Sequence, residues 1–400
     1  MPRLKVLTLI DRLSAFGGGE RFAIEIATRL DHERFDSVLC ATRARPDEEL
    51  DASEPLAAAM VEASGIRLME LGRRSGVDLR AWLPLLRLLR RERFDVVHSH
   101  KFGSNVWGTL IGRLAGVPVI VAHEHSWSFD GKPVRRLLDR ELIGRGSDVI
   151  VAVSAQDRRN MIELEGVRPE KVLLVPNGIP RRGATGADVR AELGIPADAP
   201  VIGAVGGLRP EKALDLLIRA AAPLLQEIAQ LRLLIAGEGP EKERLRELAR
   251  QAGVADRVML IGFRHDVPDV LGALDVAVSS SVSEGSPLAV MECMEAACPI
   301  VATRVGGVPD LIDDGIHGVL VRSGDAEGLT AALRRMLADP QAARRMGERA
   351  RERCLREFDV DLVVRRFESL YERLREGRGP PSSVAELDAG TRSTGVRSVA

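Results

Sequence analysis

The 400-residue sequence has few aromatic residues, few cysteines and almost no net charge, and each shortage excludes a class of protein. Aromatic side chains make up 3% of the chain and the formal net charge is −1, which argues against a nucleic-acid-binding protein. The four cysteines form no Cys-x-x-Cys pair, so we expect neither a disulfide framework nor a metal site. Buried thiols in a reducing cytosol are the simplest interpretation.

Long hydrophobic segments are also missing. No run of 18 apolar residues occurs, so no membrane-spanning helix is expected. The apolar stretch at residues 4–10 is too short for the hydrophobic part of a signal peptide, and no small-residue cleavage site follows it. It predicts a buried first strand, and a cytoplasmic location is expected.

The sequence does contain two series of short β-branched runs that alternate with helical patterns. Such alternation predicts βαβ units on a parallel sheet, and the chain length favours two domains. We therefore expect an α/β fold of two doubly wound, Rossmann-like domains. The runs are LKVLTLI, SVLCAT, IRLMEL, DVVHSH, PVIVAH, DVIVAVS and VLLVP in the first series, and VIGAVGG, LRLLIAG, VMLIGF, DVAVSSS, PIVATR and GVLVR in the second.

Composition between and after the two series predicts the domain limits. Residues 1–178 are expected to form an N-terminal domain, the Gly- and Pro-rich residues 179–198 a linker, and residues 199–357 a C-terminal domain. A helix within residues 358–376 carries an apolar stripe, and we expect it to pack back on the N-terminal domain. Residues 377–400 lack a core-forming pattern and are predicted to be disordered.

The most informative segment is SSSVSEGSPLAVME, residues 279–292, where a strand is predicted to end and a helix to begin. Ser286 is the expected N-cap and Pro287 the first helical residue. Free N–H groups at such a helix start suit a diphosphate. Glu284 and Glu292 would repel phosphate, so their expected partners are the hydroxyl groups of a sugar and a ribose. The alternative is an ordinary strand–turn–helix with two solvated glutamates.

Two cations follow the strand VIGAVGG, where a ligand of a parallel sheet would lie. A bound diphosphate requires positive charge nearby, which arginine and lysine side chains supply. Arg209 offers a fork to two phosphate oxygens and Lys212 a point charge. A solvent-facing Arg209 is the alternative.

Taken together, these motifs resemble the retaining family 4 glycosyltransferases of the GT-B fold, also described as glycosyl transferases group 1. Their hallmark EGxPxxxxE corresponds to residues 284–292. The likeness covers nearly all of residues 4–375. Its other segments are GGGE at 17–20, VPNG at 175–178, GGLRPEK at 206–212, AGEGP at 236–240, IGF at 261–263 and PIVATRVGGVPDLIDDGIHGVLV at 299–321.

The resemblance implies an enzyme of the hexosyltransferase type, EC 2.4, with two domains facing each other across a cleft. Such an enzyme moves a sugar from a nucleoside diphosphate to an acceptor hydroxyl with retention of configuration, in glycan, glycolipid or cell-surface polysaccharide biosynthesis. Its partners would be the nucleotide sugar and a glycan or lipid-linked acceptor. Two alternatives are a nucleotide-sugar 2-epimerase of the same architecture and an inactive sugar-nucleotide-binding paralogue.

The resemblance also implies residue roles. Glu292 would hold the ribose hydroxyls, Glu284 would lie beside the transferred sugar, and His125 would contact that sugar, with His123 as the second candidate. The glycine-rich loop at 17–20 would lie near the donor phosphates and the acceptor. The remaining expected donor contacts are Gly17, Gly18, Gly19, Glu20, Gly285, Ser286, Pro287, Leu288, Glu238 and Phe263.

The sequence departs from the family pattern at the cations. The family places an arginine where this chain has Gly207, and a glycine where it has Ala213. Lys212 fits the pattern, whereas Arg209 lies two residues beyond the usual arginine. The catalytic set expected from the resemblance is Lys212, Arg209, Glu284 and His125.

No cofactor or metal is expected at the diphosphate, because no DxD carboxylate pair occurs near a plausible phosphate site. A basic helical stretch over residues 78–93 raises a further hypothesis, peripheral contact with an anionic membrane at the inner face of the plasma membrane. Its basic residues are Arg80, Arg87, Arg90 and Arg91. The alternative is a core-packing helix with a solvated basic face.

Overall fold

The computed structural model describes residues 2–14, 17–43, 53–75, 78–126 and 132–393. The chain divides into two compact units. The N-terminal unit comprises Met1–Gly178 and Val360–Ala400, and the C-terminal unit comprises Ile179–Asp359.

The N-terminal unit is built on a parallel sheet whose order, within the described residues, is β3-β2-β1-β4-β5-β6-β7. Its strands are β1 Leu4–Ile10, β2 Phe35–Arg43, β3 Arg67–Arg73, β4 Val96–His100, β5 Val119–Glu124, β6 Val149–Ala152 and β7 Val172–Leu174. Its α-helices before the C-terminal unit are α1 Gly18–Arg29, α2 Ser53–Ser64, α3 Leu79–Glu92, α4 Lys101–Ala115, α5 Pro133–Leu137, α6 Gly144–Gly146 and α7 Ala155–Glu163. A π-helical stretch, Leu138–Ile143, joins α5 to α6, and a short 3₁₀ turn, Pro169–Lys171, precedes β7.

The C-terminal unit has a parallel sheet of order β10-β9-β8-β11-β12-β13. Its strands are β8 Val201–Val205, β9 Arg232–Ala236, β10 Val258–Gly262, β11 Val276–Ser279, β12 Ile300–Thr303 and β13 Val319–Val321. Its α-helices are α8 Val189–Glu192, α9 Leu214–Glu227, α10 Lys242–Gln251, α11 Val267–Gly272, α12 Leu288–Glu295, α13 Val308–Leu311, α14 Ala326–Ala338 and α15 Pro340–Glu357. A 3₁₀ turn, Pro210–Lys212, lies between β8 and α9.

All thirteen β-branched runs form strands, and both sheets are parallel throughout their described strands. Helices cover both faces of such a sheet, so its inner strands are buried on both faces rather than on alternate residues. Every residue of β6 and β12 is buried, for example. The predicted fold class, two Rossmann-like α/β domains, is confirmed.

The helix after the C-terminal unit, α16 Val360–Arg375, packs on the N-terminal unit. Its stripe of Val363, Phe367, Leu370 and Tyr371 is at most 1% exposed and joins the core formed by β1, β4, β5 and β6. The apolar stripe that the sequence shows in this helix is therefore buried in the core of the N-terminal unit.

The predicted disorder of residues 377–400 is wrong for the stretch that forms α17, Val384–Ser393. Leu387 is 2% exposed in the same core as α16, and Arg366 Nε lies 2.8 Å from Asp388 Oδ1. The sequence of this segment shows only one buried leucine and one charged pair, so no core-forming pattern is visible. The surface on which both are held belongs to α16. Residues 394–400 lie outside the described ranges.

The segment predicted as a linker, 179–198, belongs to the C-terminal unit. Ile179, Val189 and Ile195 are buried in its core. The Asp269 carboxylate accepts hydrogen bonds from the backbone N–H groups of residues 185 to 187 and from the Thr185 hydroxyl, at 2.9–3.2 Å. These bonds lower the pKa of Asp269. The sequence prediction missed this because the anchoring carboxylate lies more than 80 residues away.

No helix within the described ranges is long and apolar enough to span a bilayer.

Candidate functional site

The strand order of the C-terminal unit reverses between β8 and β11. At such a switch point the loops that follow the two strands run to opposite sides and open a crevice at the carboxyl ends, where α/β proteins bind ligands. The loop after β8 contains Lys212, and the loop after β11 contains Glu284. The tertiary structure therefore brings together two of the predicted residues that are 72 positions apart.

Lys212 and Glu284 form a half-buried ion pair, with 2.6 Å between Nζ and Oε1. The Ser281 hydroxyl donates to the same Oε1 at 2.6 Å. Below them the loops are joined through Ser280 Oγ, which donates to the carbonyl of Lys212 at 2.9 Å, and through Val282 N–H, which donates to the Glu211 carbonyl at 2.9 Å. The cation is thus held rigidly beside the carboxylate. A small cavity here is also lined by Gly206, Gly207, Ser279, Val290 and Cys293.

The last residue of β12 and the loop that follows it also support this segment. The Thr303 hydroxyl donates to the Ser281 carbonyl at 2.5 Å, and Gly307 N–H donates to the Gly285 carbonyl at 2.9 Å. Gly306 has φ +51°, and a Cβ atom there would lie 1.6 Å from the Glu284 carbonyl oxygen. Only glycine allows this approach, so the PIVATRVGG segment fixes the backbone of Glu284.

Helix α12 begins at Leu288, and Pro287 is its N-cap with φ −71° and ψ 114°. The prediction that Ser286 caps the helix and Pro287 is its first residue is therefore wrong by one position, because Pro287 keeps an extended ψ. No side-chain hydrogen bond caps the helix. Glu292 lies in the second turn and is 9% exposed. The structure thus has Glu284 before the helix and Glu292 within it, as expected from the sequence.

Glu238 and Phe263 follow β9 and β10, on the side of β8 away from β11. Glu238 is exposed and lies 2.8 Å from Lys242 Nζ, and a Cβ at Gly262 would come within 3.0 Å of its Oε1. Phe263 packs edge-on against His265. Glycine is required at 237, because a Cβ there would lie 1.9 Å from the Gly206 carbonyl oxygen. The loops after β8 and β9 consequently lie in close contact.

Arg209 turns back over Gly207. The three atoms nearest to the position of a Gly207 Cβ all belong to the Arg209 side chain, with Nε at 3.5 Å and Cγ at 3.7 Å. The Arg209 side chain therefore lies in van der Waals contact with the place where a side chain at 207 would start. Ala213 has φ +45°, the left-handed conformation in which glycine is favoured. The chain departs from the family residues at both positions yet keeps the backbone that those residues imply.

The N-terminal unit has its own switch point, between β1 and β4. The glycine-rich loop follows β1, and α1 begins at Gly18 with Gly17 as its N-cap. A Cβ at Gly19 would lie 2.8 Å from His125 Cγ and 3.0 Å from Lys101 Cε. The structure therefore brings the predicted loop together with the predicted His125.

Lys101 is a residue that sequence reasoning missed. It follows β4 directly, has φ +68°, and its Nζ pairs with Glu20 Oε1. A non-glycine residue in the left-handed region is uncommon, and such residues concentrate at functional sites. Its signal in the sequence is only a lysine directly after the strand DVVHSH.

Polar residues at the neighbouring strand ends were missed as well. Ser104 Oγ donates to Asp11 Oδ1 at 2.9 Å, and the buried Arg73 lies 3.3 Å from the same oxygen and from Thr42 Oγ1. Asp11 follows β1, Thr42 and Arg73 lie at the ends of β2 and β3, and Ser104 lies in α4 after β4, which makes the carboxyl edge of this sheet polar. Their spacing in the sequence has no recognisable pattern.

Four histidines form a buried cluster: His98 and His100 lie on β4, His123 lies on β5 and His125 follows β5 directly. His98 Nδ1 lies 2.7 Å from Tyr371 Oη, and His98 Nε2 lies 3.1 Å from His123 Nδ1. His100 Nδ1 lies 2.8 Å from His125 Nε2. His123 is fully buried, whereas His125 is 8% exposed, which favours a supporting role for His123 over direct contact with a ligand.

Burial lowers the pKa of each of these histidines. The pKa of His98 falls to about 3, and those of His100, His123 and His125 fall well below 6.5. For His125 the nearby Lys101 lowers the pKa further, while a hydrogen bond with Asn177 opposes the shift. The cluster is therefore neutral at physiological pH.

We expect the N-terminal unit to lose stability as the pH falls below 6.5. The unfolded chain binds protons on these histidines below that pH, whereas the folded unit does not until about pH 3 for His98. Each histidine contributes up to about 1.4 kcal/mol per pH unit. All three tryptophans, Trp82, Trp107 and Trp127, lie in this unit, so their fluorescence during urea unfolding measures it. His98→Gln should reduce the dependence of the unfolding free energy on pH, whereas His32→Gln, at an exposed position, should not. An equal pH dependence in both variants would show that the buried histidines do not cause the loss of stability.

Comparison with known proteins shows the family. The family model of the glycosyl transferases group 1 matches residues 187–353, and that of Glycosyltransferase Family 4 matches residues 16–182. A D-inositol 3-phosphate glycosyltransferase of Thermomonospora curvata is 30% identical over 362 residues, which cover 82% of this chain and 78% of the relative.

Two further proteins are similar over most of their length. The UDP-Gal:alpha-D-GlcNAc-diphosphoundecaprenol alpha-1,3-galactosyltransferase of Escherichia coli is 24% identical over 90% of this chain and 95% of its own. The crystal structure of Anabaena HepE in complex with UDP-glucose has a TM-score of 0.78 at 21% identity, covering 94% of this chain and 99% of that one. With both family models matched in chain order on two Rossmann-like units, this chain belongs to glycosyltransferase family 4, the glycosyl transferases group 1, and is a glycosyltransferase.

Proposed function

We propose that the C-terminal unit binds a nucleoside-diphosphate sugar at the β8–β11 switch point and that the enzyme transfers its sugar to an acceptor hydroxyl. The observation that carries this proposal is the meeting of Lys212 and Glu284 at that point, at 2.6 Å. A cation for the diphosphate and a carboxylate for sugar hydroxyls lie side by side, next to the start of α12.

The two glutamates of this segment have different proposed partners on the donor. Glu284, before the helix, accepts hydrogen bonds from the hydroxyls of the transferred sugar, and Glu292, within α12, accepts them from the ribose. Lys212 Nζ has further hydrogens to donate, so it can bind a phosphate oxygen while it still contacts Glu284. Ser281 keeps the Glu284 carboxylate in position when the cation is shared.

A uridine diphosphate donor is our first candidate. HepE is similar in fold and its structure contains UDP-glucose, and the Escherichia coli relative is named for UDP-Gal. The acceptor we propose is a glycan or a lipid-linked glycan, because that relative acts on a diphosphoundecaprenol-linked sugar.

The reaction we propose retains the anomeric configuration. The bond between the sugar C1 and the diphosphate oxygen breaks through an oxocarbenium-like transition state. The acceptor oxygen forms a bond to C1 on the same face, and its proton passes to the departing phosphate oxygen. Lys212, Arg209 and the N–H groups at the start of α12 stabilise the charge that develops on the diphosphate, so this step requires no metal.

Donor binding followed by product analysis tests the proposal. UDP-, GDP- and ADP-sugars are screened by thermal shift, because a ligand that binds only the folded state raises the melting temperature. The stabilising donor is then incubated alone and with glycan acceptors. Transfer to an acceptor supports the proposal, whereas an epimerised donor without transfer would identify an epimerase. Failure of every nucleotide sugar to bind would sink the proposal.

Arg209 should replace the family arginine that is missing at 207. We expect Arg209→Ala to lower kcat/KM about 10–100-fold, equivalent to the roughly 1.5–3 kcal/mol of a hydrogen bond to a charged group. The double variant Gly207→Arg/Arg209→Ala should recover most of the activity, because the Arg209 side chain is the nearest obstacle to a side chain at 207. Arg246→Ala, another solvent-facing arginine of this unit, is the control. Wild-type activity in Arg209→Ala would show that Arg209 only faces solvent.

We also propose that the protein contacts a membrane surface through helix α3. It buries Trp82, Leu85 and Leu89 but exposes Leu79 by 64% and Leu83 by 46%. Its arginines at 80, 87, 90 and 91 are exposed on the same side. Exposed leucines among arginines are typical of a helix that lies on an anionic bilayer at the inner face of the plasma membrane.

Vesicle binding checks this proposal. We expect the protein to bind vesicles of phosphatidylglycerol and phosphatidylethanolamine and not vesicles of phosphatidylcholine. Each arginine near the surface contributes about 1 kcal/mol, so Arg87→Ala/Arg91→Ala should weaken binding roughly 30-fold. Sedimentation with vesicles measures the difference, and Arg246→Ala is the matched control. Unchanged binding in the double variant would contradict a role for α3.

A further inference from the structure

Three members of the four-histidine cluster, His98, His100 and His123, have no step in the proposed transfer reaction. In a strand, residues two apart point to the same face, which pairs His98 with His100 on β4. His125 follows β5 directly, and its ring stacks on that of His123 with the centroids 4.3 Å apart. The register of the two parallel strands puts His100 opposite His123, so all four rings share one face. The ring centroids of His98, His100 and His123 lie 4.2–5.2 Å apart.

Among His98, His100 and His123, two ring nitrogens have no hydrogen-bond partner within the described residues. They are Nε2 of His100 and Nε2 of His123, and both side chains are at most 1% exposed. Leaving a buried polar atom without a partner costs about 1–3 kcal/mol. Of the two, Nε2 of His100 is the atom that a bound ligand would satisfy, since His123 approaches His98 through its other nitrogen, Nδ1.

We propose that His98, His100 and His123 form a binding site for a first-row transition-metal ion of the zinc class. One ring nitrogen from each lies within 4.8 Å of the others, and the three side chains are buried. Three imidazoles with an open fourth position are an established ligand set for Zn²⁺. The set contains no carboxylate, so Mg²⁺, Ca²⁺ and Mn²⁺ are not expected to bind.

In His98 and His100, the ring nitrogen that would not bind the ion already has a hydrogen-bond partner. A metal-binding histidine normally has its other ring nitrogen bonded to a neighbouring polar group, which fixes the orientation of the ring. Tyr371 Oη holds His98 Nδ1, and His125 Nε2 holds His100 Nδ1. Both rings can therefore bind an ion through Nε2 without losing these contacts.

Binding requires a small inward movement of the rings. Zn–N bonds of about 2.0–2.1 Å in a tetrahedral site separate the ligand nitrogens by roughly 3.3 Å. His98 Nε2 and His123 Nδ1 are already 3.1 Å apart, and His98 exchanges this hydrogen bond for the ion. Because the side chains are buried, the ion must enter as the protein folds or when the unit opens.

Metal binding by the intact wild-type protein is the first test, and it is independent of transferase activity. The protein is produced in zinc-supplemented medium and, separately, dialysed with a chelator and then with Zn²⁺ or Co²⁺. We expect about one zinc per chain, an absorption spectrum of tetrahedral Co²⁺, and X-ray absorption that shows three nitrogen ligands. Absence of bound metal under both conditions, or a site of oxygen ligands, would overturn the proposal.

Variants separate this site from adventitious binding at the surface. His98→Asn and His123→Asn should each lower Zn²⁺ affinity by at least tenfold, with folding checked by circular dichroism and tryptophan fluorescence. The exposed histidines His32 and His265 supply the controls, as His32→Asn and His265→Asn. Loss of zinc from the control variants alone would assign the metal to the surface. If a cluster variant fails to fold, the wild-type cobalt spectrum and X-ray absorption decide the matter.

Discussion

Replacing Lys212 by alanine is expected to lower kcat/KM for sugar transfer by about 10²–10³-fold, the usual effect of removing one preorganised donor from a developing negative charge. The 2.6 Å ion pair with Glu284 and the two hydrogen bonds between the loops fix Nζ before the donor binds. Most of the loss should fall on kcat, because the charge on the leaving diphosphate is greatest in the transition state. Steady-state kinetics with the donor found by thermal shift measures the change.

Two variants serve as comparisons for Lys212→Ala. Lys212→Arg keeps the positive charge and should recover part of the activity. Lys5→Ala removes a lysine from an exposed ion pair with Asp36, 4.0 Å long, in the N-terminal unit, and should behave as wild type. If Lys212→Ala raised KM and left kcat unchanged, Lys212 would contribute to ground-state binding only, and our assignment of the leaving-group charge would be wrong.

Gly306→Ala should have the second large effect, on both stability and activity. An L-residue in the left-handed conformation at φ +51° costs about 1–2 kcal/mol, and the new Cβ would overlap the Glu284 carbonyl oxygen, 1.6 Å away. The loop that carries Glu284 must therefore move. Since a displacement of about 1 Å in a catalytic site can cost 10²-fold in rate, we expect a loss of at least that size. Calorimetry and transfer kinetics measure the two effects.

Gly315→Ala is the matched control for this prediction. Gly315 also has a left-handed φ, +75°, but a Cβ there would have no neighbour within 4 Å. It should lose about 1 kcal/mol of stability and keep its activity. Equal kinetics in the two alanine variants would show that the contact between Gly306 and Glu284 does not position the site.

Much of this site could be predicted from the sequence because its motifs are local. A turn after an apolar strand and before a helix places Glu284 before the helix and Glu292 within it, whatever the rest of the chain does. The same holds for Lys212 after β8 and for the glycine-rich loop after β1. The N-cap at residue 287 was missed by one position, since the ψ of a single proline decides it.

Other features depended on contacts between distant residues. The pairing of Lys212 with Glu284 follows from the strand order β8-β11, which no local pattern encodes. The burial of Leu387 depends on α16, and the attachment of residues 185–187 depends on Asp269. In each case the sequence around one partner is typical of a surface residue, and only the tertiary structure shows the residue that it contacts.

The sequence by itself determined the thirteen strands, the two Rossmann-like units and the family, because apolar periodicity and contiguous motifs act over a few residues. Only the tertiary structure decided that Arg209 lies over Gly207, that Lys101 joins Glu20 and His125, and that four histidines share one buried face. Those arrangements depend on strand register and side-chain direction, which are fixed when the sheet assembles and not before.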